Sequence, residues 1–117
     1  PNGTGRVSPM AGVDLEPNKA TDRLRNIVFR RCRSLNNSGA GFQVYPANLN
    51  ASSRSISITF EECHVEGIGA PHPVGWDPAV VSVGYYFNGF GGAGARGFVR
   101  VVGGSVRGTR SFGAAVY

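Results

Sequence analysis

The sequence predicts an all-β chain folded as a right-handed parallel β-helix of about three to four rungs, and three observations point there. Two short patterns recur and strictly alternate along the 117 residues. Within each pattern apolar residues alternate with polar ones, the period of two that belongs to strands. When the repeats are laid over one another, charges of opposite sign fall into the same columns.

Residues 1–10, PNGTGRVSPM, form an irregular N-terminal segment ahead of the first repeat. GVDLEP from Gly12 then opens the first sheet, with Val13 and Leu15 directed inward and Asp14 and Glu16 outward. The loop PNKATDRLRN leads to IVFRRCRSLNN from Ile27, which begins apolar-x-apolar, breaks the alternation for two residues and resumes at Cys32. That is a strand that bends into a second strand. GFQVYP from Gly41 returns to the first sheet through Phe42 and Val44, and PANLNASSRS leads to ITFEECHVEGI from Ile58, which bends at Cys63. The stretch GIGAPHPVGWDPAV carries eight residues more than its counterparts, and VVSVGYYF from Val80 supplies the third first-sheet strand through Val81 and Val83. VRVVGGSVRGT from Val99 bends at Gly104, and FGAAVY closes the chain with Ala114 and Val116. Rung lengths of 29, 39 and 33 residues follow from this alignment.

Equivalent residues of adjacent parallel strands lie about 4.8 Å apart, so like charges would repel there. The alignment stacks Arg30 on Glu61 on Arg100, and Arg31 on Glu62. Phe29 on Phe60 and Cys32 on Cys63 form like-on-like ladders of the kind a solenoid keeps inside. Only DRLRN has helical character, and the abundance of β-branched residues and Gly opposes a helical reading.

Composition agrees with sheet and turn. Apolar residues make up 41% and charged residues only 16%, with 18 Gly, enough for one domain and too short for two. No run approaches the roughly 18 apolar residues of a membrane span, and the first residues lack a signal-peptide layout, so any export signal lies outside this chain. The net charge of +5 comes from eleven Arg and the single Lys19. It allows attraction to anionic polysaccharide, nucleic acid or phospholipid without choosing among them. Cys32 and Cys63 are too few for a disulfide scaffold or a zinc site, and no cofactor motif is present.

The pattern Ile58-x-Phe60-x-x-Cys63-x-Val65, followed by Gly-apolar-polar-apolar strands, resembles the repeats of the right-handed parallel β-helix proteins of the pectin-lyase-like superfamily; so does GVDLEPN from Gly12. The resemblance covers roughly residues 11–117 and implies a first-sheet groove for polysaccharide and an extracellular or cell-surface location. In that family many members are lyases, hydrolases or epimerases, and others are tailspikes or adhesins. The Asp-Asp, Gly-His-Gly and Arg-x-Lys motifs of the hydrolases and the Asp-Pro-His-Asp of the epimerases are absent.

The outward face of the first sheet is therefore the candidate ligand surface. Asp14 and Glu16 share one face of a strand with Cα atoms about 6.6 Å apart, a spacing compatible with paired glycosidase carboxyls. They are the weak catalytic candidates. They read first as solvated carboxylates or partners of Arg23 or Arg25, next as contacts for carbohydrate or a cation, and last as catalytic groups. Gln43, Tyr45, Ser82 and Tyr86 add amide and aromatic groups to the same face, where they can meet the hydroxyl edges and apolar faces of a sugar or serve as ordinary strand residues. Trp76, in the longer loop with His72 and Asp77, can either wall a groove or cover the flank of the solenoid. His64 and His72 are too far apart in irregular chain to suggest a metal. The run Asn88 to Phe98 is Gly-rich but leads into a strand, not a helix, which excludes a phosphate-binding loop.

The leading expectation is a glycan-binding β-helix segment, with acidic glycans favoured by the Arg excess; the alternative is a purely structural or assembly module. With no cap legible at either end, the chain reads as a fragment of a longer solenoid that self-associates through its exposed strand edges. Nucleic acid ranks last because the aligned arginines are interleaved with glutamates.

Overall fold

Residues 11–68, 83–88, 94–109 and 113–116 are described, in a computed structural model of the chain. They form the strands β1 (Val13–Leu15), β2 (Ile27–Arg30), β3 (Arg33–Leu35), β4 (Ala40–Val44), β5 (Ile56–Glu61), β6 (His64–Glu66), β7 (Val83–Phe87), β8 (Gly97–Val102), β9 (Ser105–Arg107) and β10 (Ala114–Val116). Among the described residues there is no helix.

The strands make three sheets, ordered β1-β4-β7-β10, β2-β5-β8 and β3-β6-β9. Every pairing within them is parallel. The chain thus visits the first, second and third sheets in turn and returns to the first, over and over. Each pass lays its strands beside those of the pass before.

Alternation explains the faces. In β5 the residues Ile56, Ile58 and Phe60 are buried while Ser57, Thr59 and Glu61 are partly exposed. Ser34 in β3 and Val65 in β6 point inward between exposed neighbours. The break in each alternating pattern is a corner between the second and third sheets, where Arg31, Glu62 and Gly103 take left-handed φ of 53°, 50° and 64°. A second left-handed corner follows the third sheet at Asn36, Gly67 and Gly108. Side chains other than Gly and Asn occupy this region at a cost of about 1 kcal/mol or more.

Four glycines, Gly12, Gly41, Gly84 and Gly113, fall in one column at the start of the first-sheet strands, as the pairings Val13 with Phe42, Phe42 with Tyr85 and Tyr85 with Ala114 require. A Cβ on Gly41 would come within 2.4 Å of Val65 and 2.6 Å of the Gly84 carbonyl, and one on Gly84 within 2.5 Å of Val106. One on Gly12 would come within 2.2 Å of the Ser34 hydroxyl. The column therefore lets the third sheet press against the first.

Between the sheets lies an aromatic core. The Phe29 and Phe60 rings stack at 5.1 Å, Phe42 and Tyr85 at 5.4 Å, and Phe60 meets Phe87 at 6.0 Å. Phe60 is fully buried at its centre, with Val44, Ile58, Cys63 and Val65 around it.

Most of the predicted columns hold. Ile27, Ile58 and Val99 pair, as do Phe29 and Phe60, and Arg33, His64 and Ser105. Two expectations are corrected. Arg100 lies beside Thr59, and Val102 is the residue beside Glu61; Arg100 is on the expected face but two residues earlier, with its guanidinium 5.1 Å from the Phe98 ring centre. In the third first-sheet strand Tyr85 and Phe87 take the places opposite Phe42 and Val44, while Val83 pairs with Ala40. Successive first-sheet strands are consequently 29, 43 and 29 residues apart. The insertion ahead of β7 is twelve residues, not eight, as the steps from Ile27 to Phe42 and from Ile58 to Tyr85 show. Val81 lies outside the described residues.

A Gly41→Ala variant is expected to lose about 1–3 kcal/mol of stability, the usual cost of overpacking a site that backbone walls on one side. Urea unfolding of the variant against the parent chain measures it.

Candidate functional site

The first sheet presents two adjacent columns on its outward face. Asp14 pairs with Gln43, and Gln43 with Tyr86, so these three follow one another across β1, β4 and β7. One step beyond the strand ends, Glu16, Tyr45 and Asn88 continue the same registers, held by backbone bonds from Tyr45 N to the Leu15 carbonyl at 3.0 Å and from Asn88 N to the Val44 carbonyl at 3.1 Å. Because side chains alternate along a strand, neighbours two residues apart within each strand share this face.

Hydrogen bonds tie the columns together. The Gln43 amide donates to Glu16 Oε1 at 3.0 Å, and the Asn88 amide donates to the Tyr86 hydroxyl at 2.8 Å. Tyr45 is 37% exposed and Glu16 is exposed, while Gln43 and Tyr86 are half-buried. Five of the six residues predicted from the sequence as a ligand surface thus stand side by side. The sixth, Trp76, lies outside the described residues, as do Ser82, His72 and Asp77.

Asp14 is the unusual member. Its Oδ1 is buried with no hydrogen-bond partner among the described residues. Its pKa is raised from 3.8 to about 6, chiefly by burial and also by the nearby Glu16 carboxylate, with the hydrogen bond from the Gln43 amide acting the other way. A carboxyl that holds its proton toward neutral pH is what a general acid requires and is also a hydrogen-bond donor to a hydroxyl-rich ligand. Neither Asp14 nor Glu16 forms an ion pair with Arg23 or Arg25; the ion pairs among the described residues join Arg30 to Glu61, Arg31 to Glu62 and Arg33 to Glu66. Among the described residues there is no cluster of three metal-ligating side chains and no helix long and apolar enough to cross a membrane.

Sequence reasoning missed Asn88, which the two-residue displacement of the third strand brings onto the face beside Tyr45. It also missed the inward turn of Tyr85, whose hydroxyl is buried without a hydrogen-bond partner among the described residues and whose pKa burial pushes up to about 12. The signal was present: the Gly of GVDL, GFQV, GYYF and GAAV fixes the register that the valines of VVSV obscure.

Comparison of the chain with protein-family models, with curated proteins and with solved structures finds no match.

The sign of the Asp14 shift sets a pH dependence. Its folded pKa lies above its ordinary value, so between about pH 4 and about pH 6 the folded state binds more protons and stability falls as pH rises. Asp14→Asn is expected to be more stable than the parent above pH 6 and to match it below pH 4. Thermal unfolding of the two across pH 3–8 reads this directly.

Proposed function

We propose that the chain is a segment of a right-handed parallel β-helix, similar to the pectin-lyase-like proteins, that binds polysaccharide on the outward face of its first sheet. Cyclic return through three parallel sheets supports the solenoid. A strand, crossover and parallel strand in one sheet are right-handed in about 98% of cases, which supports the hand.

The observation that carries the binding reading is the double column of Asp14, Gln43 and Tyr86 beside Glu16, Tyr45 and Asn88. A sugar chain offers apolar ring faces and hydroxyl edges. Tyr45 and Tyr86 supply the flat apolar surface, Gln43 and Asn88 the two-way amides, and Glu16 an acceptor for hydroxyls. Such a face recognises by many modest contacts in a row, and parallel strands repeat those contacts along the axis of the stack. Acidic glycans are favoured by the excess of arginine.

A second reading, an assembly module, has its own support in the apolar residues exposed on the later strands: Phe98, Val101 and Val102 on β8 and Val116 on β10. Sheet edges bearing exposed apolar side chains pair readily with other copies.

Calorimetric titration with neutral and uronate oligosaccharides tests the first reading. Tyr45→Ala and Tyr86→Ala are each expected to weaken binding about three- to ten-fold, and absence of heat with every oligosaccharide would refute it. Light scattering tests the second, for which concentration-dependent growth in mass is expected and a monodisperse monomer would count against it.

A further inference from the structure

Among the described residues, two groups of arginines stand in opposite surroundings. At the corner between the second and third sheets, the arginines of the first pass face carboxylates of the second: Arg30 Nε lies 2.7 Å from Glu61 Oε2, and Arg31 and Arg33 lie within 4.0 Å of Glu62 and Glu66. On the loops from the first sheet to the second, the opposite holds. Arg54 follows Arg23 by 31 residues, the offset that relates Ile27 to Ile58, and both are exposed. They line one cavity of about 240 Å³ together with Ala20, Thr21, Ser52 and Ser53.

This cavity has cationic walls and a polar floor. Neither Arg23 nor Arg54 has an ion-pair partner among the described residues. Arg96, from the following pass, donates from Nη2 to the Ala51 carbonyl at 3.4 Å, which adds a third guanidinium to the same loops. The loop carboxylate Asp22 forms no ion pair with either arginine; its Oδ2 accepts from the Asn18 and Lys19 backbone N–H groups at 2.8 and 3.0 Å. The floor is fixed: Ser53 Oγ donates to the Ala20 carbonyl of the previous pass at 2.7 Å and accepts from Asn50 N at 2.9 Å. Ser52 Oγ donates to Asn50 Oδ1 at 2.6 Å. Thr21 also lines the cavity, and its hydroxyl has no hydrogen-bond partner among the described residues. Both guanidiniums line one cavity whose loops are joined by hydrogen bonds, so an anion entering it meets two positive charges. Guanidinium forks match the paired oxygens of a carboxylate or sulfate.

We propose that the Arg23–Arg54 cavity is an oxyanion subsite that takes a carboxylate or sulfate group of an acidic polysaccharide. It rests on the glycan-binding reading and extends it: the loops that build the cavity leave the first sheet directly after Glu16 and Tyr45, so a chain lying on the aromatic face can place an acidic substituent there. The first-sheet face would then select the sugar and the loops its charge.

Titrating the full chain with dextran sulfate, polygalacturonate and unsulfated dextran oligomers of equal length separates the claims. The double variant Arg23→Gln and Arg54→Gln is expected to lose about ten-fold or more in affinity for at least one acidic oligomer while keeping its affinity for the neutral one. Arg30→Gln, with the same change in charge per site but a paired arginine, is expected to lose less than about two-fold. Equal losses per removed charge in both variants would overturn the subsite in favour of diffuse attraction, and unchanged affinity of the double variant for both acidic oligomers would overturn it outright. Loss of neutral binding alone, as in Tyr45→Ala, would report on the aromatic face and leave the cavity intact.

Discussion

The rest of the structure depends on the close approach of the first and third sheets at the glycine column. Gly12, Gly41 and Gly84 lie so near Ser34, Val65 and Val106 that no side chain fits between them. That contact sets where each strand of the first sheet begins, because a slip of one residue would put a Cβ into the wall and turn every inward side chain outward. Everything on the outward face, from Asp14 to Tyr86, inherits its position from this constraint. So does the aromatic core, in which Phe42 and Tyr85, each the residue directly after its glycine, Gly41 or Gly84, stack on one another.

Stacking like on like forces a choice wherever a charged residue occurs. At the corner between the second and third sheets the first pass carries Arg30 and Arg31 where the second carries Glu61 and Glu62, and Arg30 with Glu61 closes to 2.7 Å. These pairs are exposed and contribute little stability individually, but they oppose mispairing of one pass with another. On the loops between the first and second sheets the chain instead repeats a positive sign and leaves space between the copies. The same architecture thus uses charge in two ways, once to specify register and once to hold a cavity open to an anion.

Much of this was legible in the sequence because a stack of parallel strands converts repetition in sequence into contact in space. The columns through Ile27, Phe29, Cys32 and Arg33 could be read from two aligned segments of equal spacing. Reading failed where spacing changed. VVSVGYYF offers two alternating frames, VVSV and GYYF, and hydrophobicity alone favours the valines; only the packing need for a glycine opposite Gly41 decides for Tyr85 and Phe87. Because the error was two residues, strand parity survived and Tyr86 stayed on the predicted face, now opposite Gln43 rather than beyond it. Arg100 was misplaced by the same even step: an opposite charge beside Glu61 is attractive to the eye, yet Val102 stands there because the apolar positions Val99 and Val101 must meet Ile58 and Phe60. The burial of Asp14 Oδ1 was not readable at all, since it depends on how neighbouring passes shield the strand.

The measurement closest to the core of this account is the set of backbone nuclear Overhauser contacts of Thr59 in the folded chain. Parallel, in-register passes predict that Thr59 shows inter-strand contacts to Val28 on one side and Arg100 on the other, with Gln43 likewise flanked by Asp14 and Tyr86. Contacts in an antiparallel pattern, or contacts joining Glu61 to Arg100 across the second sheet, would contradict it and remove the basis for both proposed binding surfaces.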